Sequence, residues 1–71
     1  MEYGPGNKPW RMPLRHFIVV DAKGDIHDID AHYVFNNGGE GLIFRRYPKG
    51  SDRSDVIAVF AEGAWLYYKE D

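Results

Sequence analysis

The 71-residue chain contains no cysteine, which excludes disulfide staples, cysteine-ligated zinc and a thiol nucleophile. Threonine is absent too, and the only serines, Ser51 and Ser54, lie in a polar stretch without a G-x-S-x-G elbow, which argues against nucleophilic acyl transfer. No apolar run, neither Phe17 to Val20 nor the longer Val56 to Ala61, approaches the ~20 residues that span a bilayer. The start Met1-Glu2-Tyr3-Gly4-Pro5-Gly6 lacks the basic and apolar regions of a secretory signal. These absences predict a cytoplasmic protein with no membrane partner. Charge of one sign is also lacking: nine Lys and Arg stand against eleven Asp and Glu, a formal charge of -2. That balance is too even for a general nucleic-acid binder and too mild for a polyanionic mimic.

Aromatic residues are abundant by contrast, with four Phe, five Tyr and two Trp. A chain this short draws only about 3–5 kcal/mol of net stability from one core, so aromatic burial or association must supply the rest.

Residues 1–13 hold three of the four prolines and show no hydrophobic period, which predicts an extended N-terminal arm preceding a single small domain over 14–71. Tyr3, Trp10 and Met12 are too apolar for a plain spacer, so Trp10 either caps the core or docks a partner. From Leu14 onward, runs rich in Val, Ile, Phe and Tyr alternate with Gly-containing turns, which is the grammar of an all-β protein. Five strands are expected: Leu14 to Asp21, Ile26 to Phe35, Gly41 to Tyr47, Val56 to Ala61 and Trp65 to Lys69. Gly24 is expected in the left-handed conformation of a tight hairpin turn. In the second strand, Ile29, Tyr33 and Phe35 are expected on one apolar face; a short helix over Asp28 to Val34 is the alternative. The fourth strand is apolar on both faces and predicts a central or twice-covered position.

Strands joined in sequence order predict a five-stranded antiparallel meander bent into a small barrel or half-barrel. Its expected core includes Phe17, Ile29, Phe44, Val59, Phe60 and Trp65. Residues 21–40 carry a net charge of -4 and residues 41–53 a net +3, so pairing of the second and third strands would set opposite charges face to face.

His27, Asp28, Asp30 and His32 suggest metal ligation, but on a strand Asp28, Asp30 and His32 would stand about 6.6 Å apart in succession, too far to close on one ion without a bulge. A solvated strand face is the favoured reading, with no metal or cofactor, and Asp28→Asn and His32→Ala are then expected to leave folding intact. The Asp28 and Asp30 carboxylates have no deep cleft to tune them in so small a chain, and Gly38-Gly39-Glu40-Gly41 lacks the ending of a phosphate loop. A catalytic role is therefore not expected.

Recognition of a macromolecule remains. Trp10, Trp65, Tyr67 and Tyr68 are the candidate protein-interface residues, because Tyr67 and Tyr68 must point to opposite faces and Trp65 should share a face with Tyr67. The last strand reaches its first charge only at Lys69 and is the poorly protected edge, so a homodimer through it is the alternative to barrel closure by pairing of the first and last strands. A nucleic-acid-binding barrel is the second reading, with Arg45, Arg46, Tyr47, Lys49 and Arg53 as its contacts, since cations there interleave with aromatics.

The segment Val56-Ile57-Ala58-Val59-Phe60-Ala61-Glu62-Gly63-Ala64-Trp65, following Leu42-Ile43-Phe44 and a polar loop, resembles a pattern in small uncharacterised proteins of actinobacteria and their phages, over residues 16 to 70. Those proteins bring no defined activity. The resemblance implies an accessory protein of a mobile element or its host, acting by binding a host protein.

Overall fold

The computed structural model describes residues 8–71. Its six strands are β1 (Arg15–Asp21), β2 (Ile26–Ala31), β3 (Tyr33–Asn36), β4 (Leu42–Arg46), β5 (Asp55–Phe60) and β6 (Trp65–Glu70), with short 3-10 turns at Pro9–Arg11 and Gly38–Glu40. The fold is all-β. Every described pairing is antiparallel, and the strands form two three-stranded sheets ordered β2-β1-β6 and β3-β4-β5. No helix among the described residues is long and apolar enough to cross a membrane. Of the expected arm, residues 1–7, including Tyr3, lie outside the described residues.

Two features correct the expected five-stranded meander. The second strand is broken at His32 into β2 and β3, which belong to different sheets. The break shifts the alternation by one residue. Ile29 and Ala31 face the core on β2, but on β3 it is Val34 that packs inward, opposite Phe44. Tyr33 and Phe35, expected beside Ile29, are turned to the outside, where their rings stack at 6.2 Å. The second feature is that the barrel does not close. β1 and β6 pair, as closure requires, but no ladder joins β5 to β6 among the described residues. The link 61–64 folds into its own turn through Ala64 N–H to the Ala61 carbonyl. The Ala64 carbonyl then accepts the Ala22 N–H, so the start of β6 is tied to the β1–β2 hairpin and led away from β5.

Turn chemistry explains the hairpins. The Asp21 carboxylate accepts the N–H groups of Lys23 and Asp25 at 2.9 Å each, and Gly24 takes the left-handed conformation expected of it. Gly41, at φ 87°, is required for a second reason: a Cβ there would meet the Phe60 carbonyl oxygen, because the backbones of β4 and β5 converge at that point.

The core consists of Phe17, Val19, Ile29, Ala31, Leu42 and Phe44, with Val34, Ala58, Phe60 and Trp65 packed around it. Phe17 of β1 meets Phe44 of β4 edge to face at 5.4 Å, joining the two sheets. Phe17, Ile29 and Phe44 are thus buried as expected, and Phe60 and Trp65 contribute from the margin. Val59 is not in the core. It lies on the outer face of the second sheet, opposite Ile43, with 55% of its surface exposed. The expected charge pairing between residues 21–40 and 41–53 is also not formed: the ion pairs among the described residues are Arg15–Glu70, His16–Asp28, His16–Asp71 and His27–Asp21. The strand break explains this, since Asp28 and Asp30 go to one sheet while Arg45 and Arg46 go to the other.

Candidate functional site

The corner at His32 organises one end of the molecule. Only 6% of this residue is exposed. Its backbone N–H donates to the Arg45 carbonyl at 2.9 Å, and its ring joins two further segments. Nδ1 accepts the Tyr47 N–H at 2.9 Å, and Nε2 lies 2.9 Å from the Met12 carbonyl, to which it donates. Because Nδ1 must accept, the ring in this arrangement is neutral and carries its proton on Nε2. His32 therefore fastens the segment before β1 to the corner of the sheet and to the end of β4. The expectation of a solvated histidine is corrected: the strand break turns the ring inward, and both nitrogens are engaged.

An open groove of about 530 Å³ lies against this corner, lined by Trp10, Arg11, His32, Arg46, Tyr47 and Lys49 along with Met12 and Leu14. The Arg11 guanidinium sits 5.0 Å from the centre of the Trp10 ring, and the Tyr47 ring lies 5.4 Å from His32 and 6.0 Å from Tyr33. Among the described residues that line it, none is acidic.

The candidate residues are distributed differently from their grouping in sequence. Trp10 shares this groove with Arg46, Tyr47 and Lys49. Arg45 does not reach it, because its guanidinium donates to the Ser54 hydroxyl at 2.7 Å and to the Ser54 carbonyl at 2.8 Å. The Tyr33 hydroxyl joins the same serine at 2.9 Å, so Arg45 anchors the loop before β5. Arg53 lies in that loop, where its backbone N–H and carbonyl both engage the Ser51 hydroxyl. Trp65 and Tyr68 are neighbours, 6.0 Å apart, and Tyr68 reaches the edge of Phe44 at 6.3 Å. Tyr67 stands apart from them on the outer face of the first sheet. The expected pairing of Trp65 with Tyr67 fails because the β1–β6 register slips: Asp21 faces Trp65 and Val20 faces Tyr67, leaving Leu66 as the extra residue. The Trp65 indole Nε1 is buried without a hydrogen-bond partner.

A surface that the sequence reading missed is the outer face of the second sheet. Cross-strand neighbours share a face, so Phe35, Ile43 and Val59 form one row and Tyr33, Arg45 and Val56 the next. Five of these six are apolar or aromatic on a side that antiparallel sheets ordinarily give to polar residues. Phe35, Val56, Ile57 and Val59 are 38%, 47%, 43% and 55% exposed. The doubly apolar pattern of β5 carries the signal, but by itself that pattern fits a covered strand equally well. The structure places β5 at an edge.

The opposite side of the molecule is ionic. His16 Nε2 lies 3.0 Å from Asp28 and Nδ1 3.3 Å from Asp71. Partial loss of water opposes charge on this ring, but the hydrogen bonds to Asp71 and Asp28 and the charges of Asp28 and Asp30 outweigh it and raise its pKa. Asp21, bonded to His27 at 2.9 Å and to two backbone N–H groups, is held below the usual carboxylate range chiefly by the His27 bond. Among the described residues no group of three or more His, Asp and Glu side chains is arranged to hold a metal ion.

No protein family, curated protein or solved structure matches the chain.

Proposed function

We propose that the protein is a non-enzymatic cytoplasmic binding module that acts through a protein–protein contact centred on β5 and the outer face of the second sheet. The observation that carries this reading is the mismatch between the sequence of β5 and its position. Val56-Ile57-Ala58-Val59-Phe60 has the composition of a strand covered on both sides, yet it stands at an edge with its valines and isoleucine about half exposed. An uncharged edge of this kind invites another strand, and natural proteins usually blunt such edges with charge, proline or a bulge. Here Asp55 and the bulge near Ile57 limit one end, while Ala58 to Phe60 carry no such protection. A partner strand added along β5 would satisfy the free backbone groups and set its side chains beside Val56 and Val59, extending the apolar face on which Ile43 and Phe35 also lie. The role fits an accessory protein of a mobile element or its host, as the sequence resemblance implies.

The test is a pair of lysine variants. Val59→Lys places a charge in the apolar row on an already exposed site, and Tyr67→Lys does the same on the other sheet. Both should remain folded by circular dichroism. Partners captured from the source cell by the native chain should be lost with Val59→Lys and kept with Tyr67→Lys. Capture that survives Val59→Lys would remove β5 as the binding edge. Light scattering distinguishes a second copy as the occupant: a dimer that becomes a monomer only with Val59→Lys assigns the surface to self-association.

A further inference from the structure

The groove at the His32 corner lies at a site distinct from β5, and its chemistry differs. Its walls combine two half-buried aromatic rings, Trp10 and Tyr47, with three cations, Arg11, Arg46 and Lys49. Among the described residues, no carboxylate lines it. Asp55 stands opposite Arg46 in the β4–β5 register, but no ion pair joins them among the described residues. The formal charge of -2 conceals this polarity, since Asp28, Asp30 and Asp71 gather around His16 on the first sheet. A local cationic excess attracts an anion whatever the sign of the whole molecule.

We infer that this groove binds single-stranded nucleic acid, with bases stacking on Trp10 and Tyr47 and phosphates meeting Arg11, Arg46 and Lys49. Three cations spread along one open groove match a repeating anion better than a single phosphate. The aromatic walls match an anion that carries flat groups at each repeat. An acidic peptide would satisfy the cations but bring no flat group to the aromatic walls. A duplex offers its phosphates while keeping its bases stacked inside. His32 contributes as the floor: its two ring nitrogens are already committed, so it holds Met12 and Tyr47 in place, and through Met12 the segment bearing Trp10 and Arg11. Arg45 and Arg53, which sequence alone grouped with these residues, take no part.

Fluorescence anisotropy of labelled 12-residue oligo-dT, oligo-U, a DNA duplex and a polyglutamate peptide tests the assignment with the full chain. Both single strands should bind at low salt, with a log–log salt slope of about -2 for three phosphate contacts. The ratio of the two affinities tells DNA from RNA. Arg46→Glu combined with Lys49→Glu, both at surface positions, should weaken binding at least about tenfold and flatten the slope. Lys69→Glu, on the other sheet, should change it less than about twofold. Trp10→Ala should weaken binding by a factor of about 5 to 150, the value of one stacked base. An unchanged thermal melt of the double charge variant keeps the reading independent of folding. Absence of binding to both single strands, equal binding of polyglutamate, or indifference to the double charge variant would each overturn the inference. None of these outcomes bears on capture through β5, so this proposal and the preceding one fail separately.

Discussion

Replacing His32 by alanine should destabilise the protein strongly. The ring is buried and supplies two hydrogen bonds of 2.9 Å to backbone groups of distant segments, the Tyr47 N–H and the Met12 carbonyl. Each such bond contributes about 0.5–1.5 kcal/mol net. Losing the ring's buried apolar surface, including its contact with Tyr47, adds about 1 kcal/mol. The total is about 3 kcal/mol, set against roughly 4–11 kcal/mol for a domain of this length. With a urea slope of about 1 kcal/mol per molar, the midpoint should fall by about 3 M, and the melting temperature by roughly 12–24 °C. Urea denaturation followed by far-ultraviolet circular dichroism and tryptophan emission measures the first, and thermal melting the second. His32→Gln, whose amide can both donate and accept, should recover part of the loss. A His32→Ala midpoint within about 0.5 M of the native value would refute the reasoning and return His32 to the solvated role that its sequence context suggests.

Three further outcomes follow from the same contacts. Phe44→Ala removes a ring that meets Phe17, Phe60 and Tyr68, and at about 3–5 kcal/mol it should leave little cooperative melting transition; a melt near the native temperature would show that the core lies elsewhere. Gly41→Ala should cost about 2 kcal/mol or more and clearly exceed Gly24→Ala, because both sites have positive φ but only at Gly41 would the new methyl group meet backbone; equal losses in urea titration would contradict this. For His16, whose folded pKa is raised, the stabilising contribution is complete below the unfolded value of about 6.5 and is lost as pH rises through the folded value. The native melting temperature should therefore decline, as pH rises above about 6.5, relative to that of His16→Gln, and parallel pH profiles would show that the Asp28 and Asp71 contacts do not stabilise the fold.

The amino-acid sequence by itself determined the class of the fold, because strand grammar depends on local composition. Runs of β-branched and aromatic residues, punctuated by Gly24, the Asn36-Asn37-Gly38-Gly39 stretch and the loop before Asp55, placed β1, β4, β5 and β6 within about a residue of their observed bounds. It also identified Phe17, Ile29 and Phe44 as core, and it grouped Arg46, Tyr47 and Lys49, together with Arg45 and Arg53, as a cationic aromatic set, of which the first three share the groove. Only tertiary structure decided that the second strand breaks at His32, since the reason for the break lies in Met12, Arg45 and Tyr47, between 13 and 20 residues away along the chain. From that break follow the outward turn of Tyr33 and Phe35 and the separation of the acidic and basic blocks. It also brings Trp10 beside Arg46 and Lys49. The edge position of β5 was equally beyond reach, because a strand with two apolar faces reads the same whether its cover comes from its own chain or from another. The slipped register that sends Trp65 and Tyr67 to opposite faces depends on how β6 meets β1, a choice made when the Ala64 carbonyl is captured by Ala22. Periodicity describes which side chains can share a face, and long-range hydrogen bonds decide which face is buried.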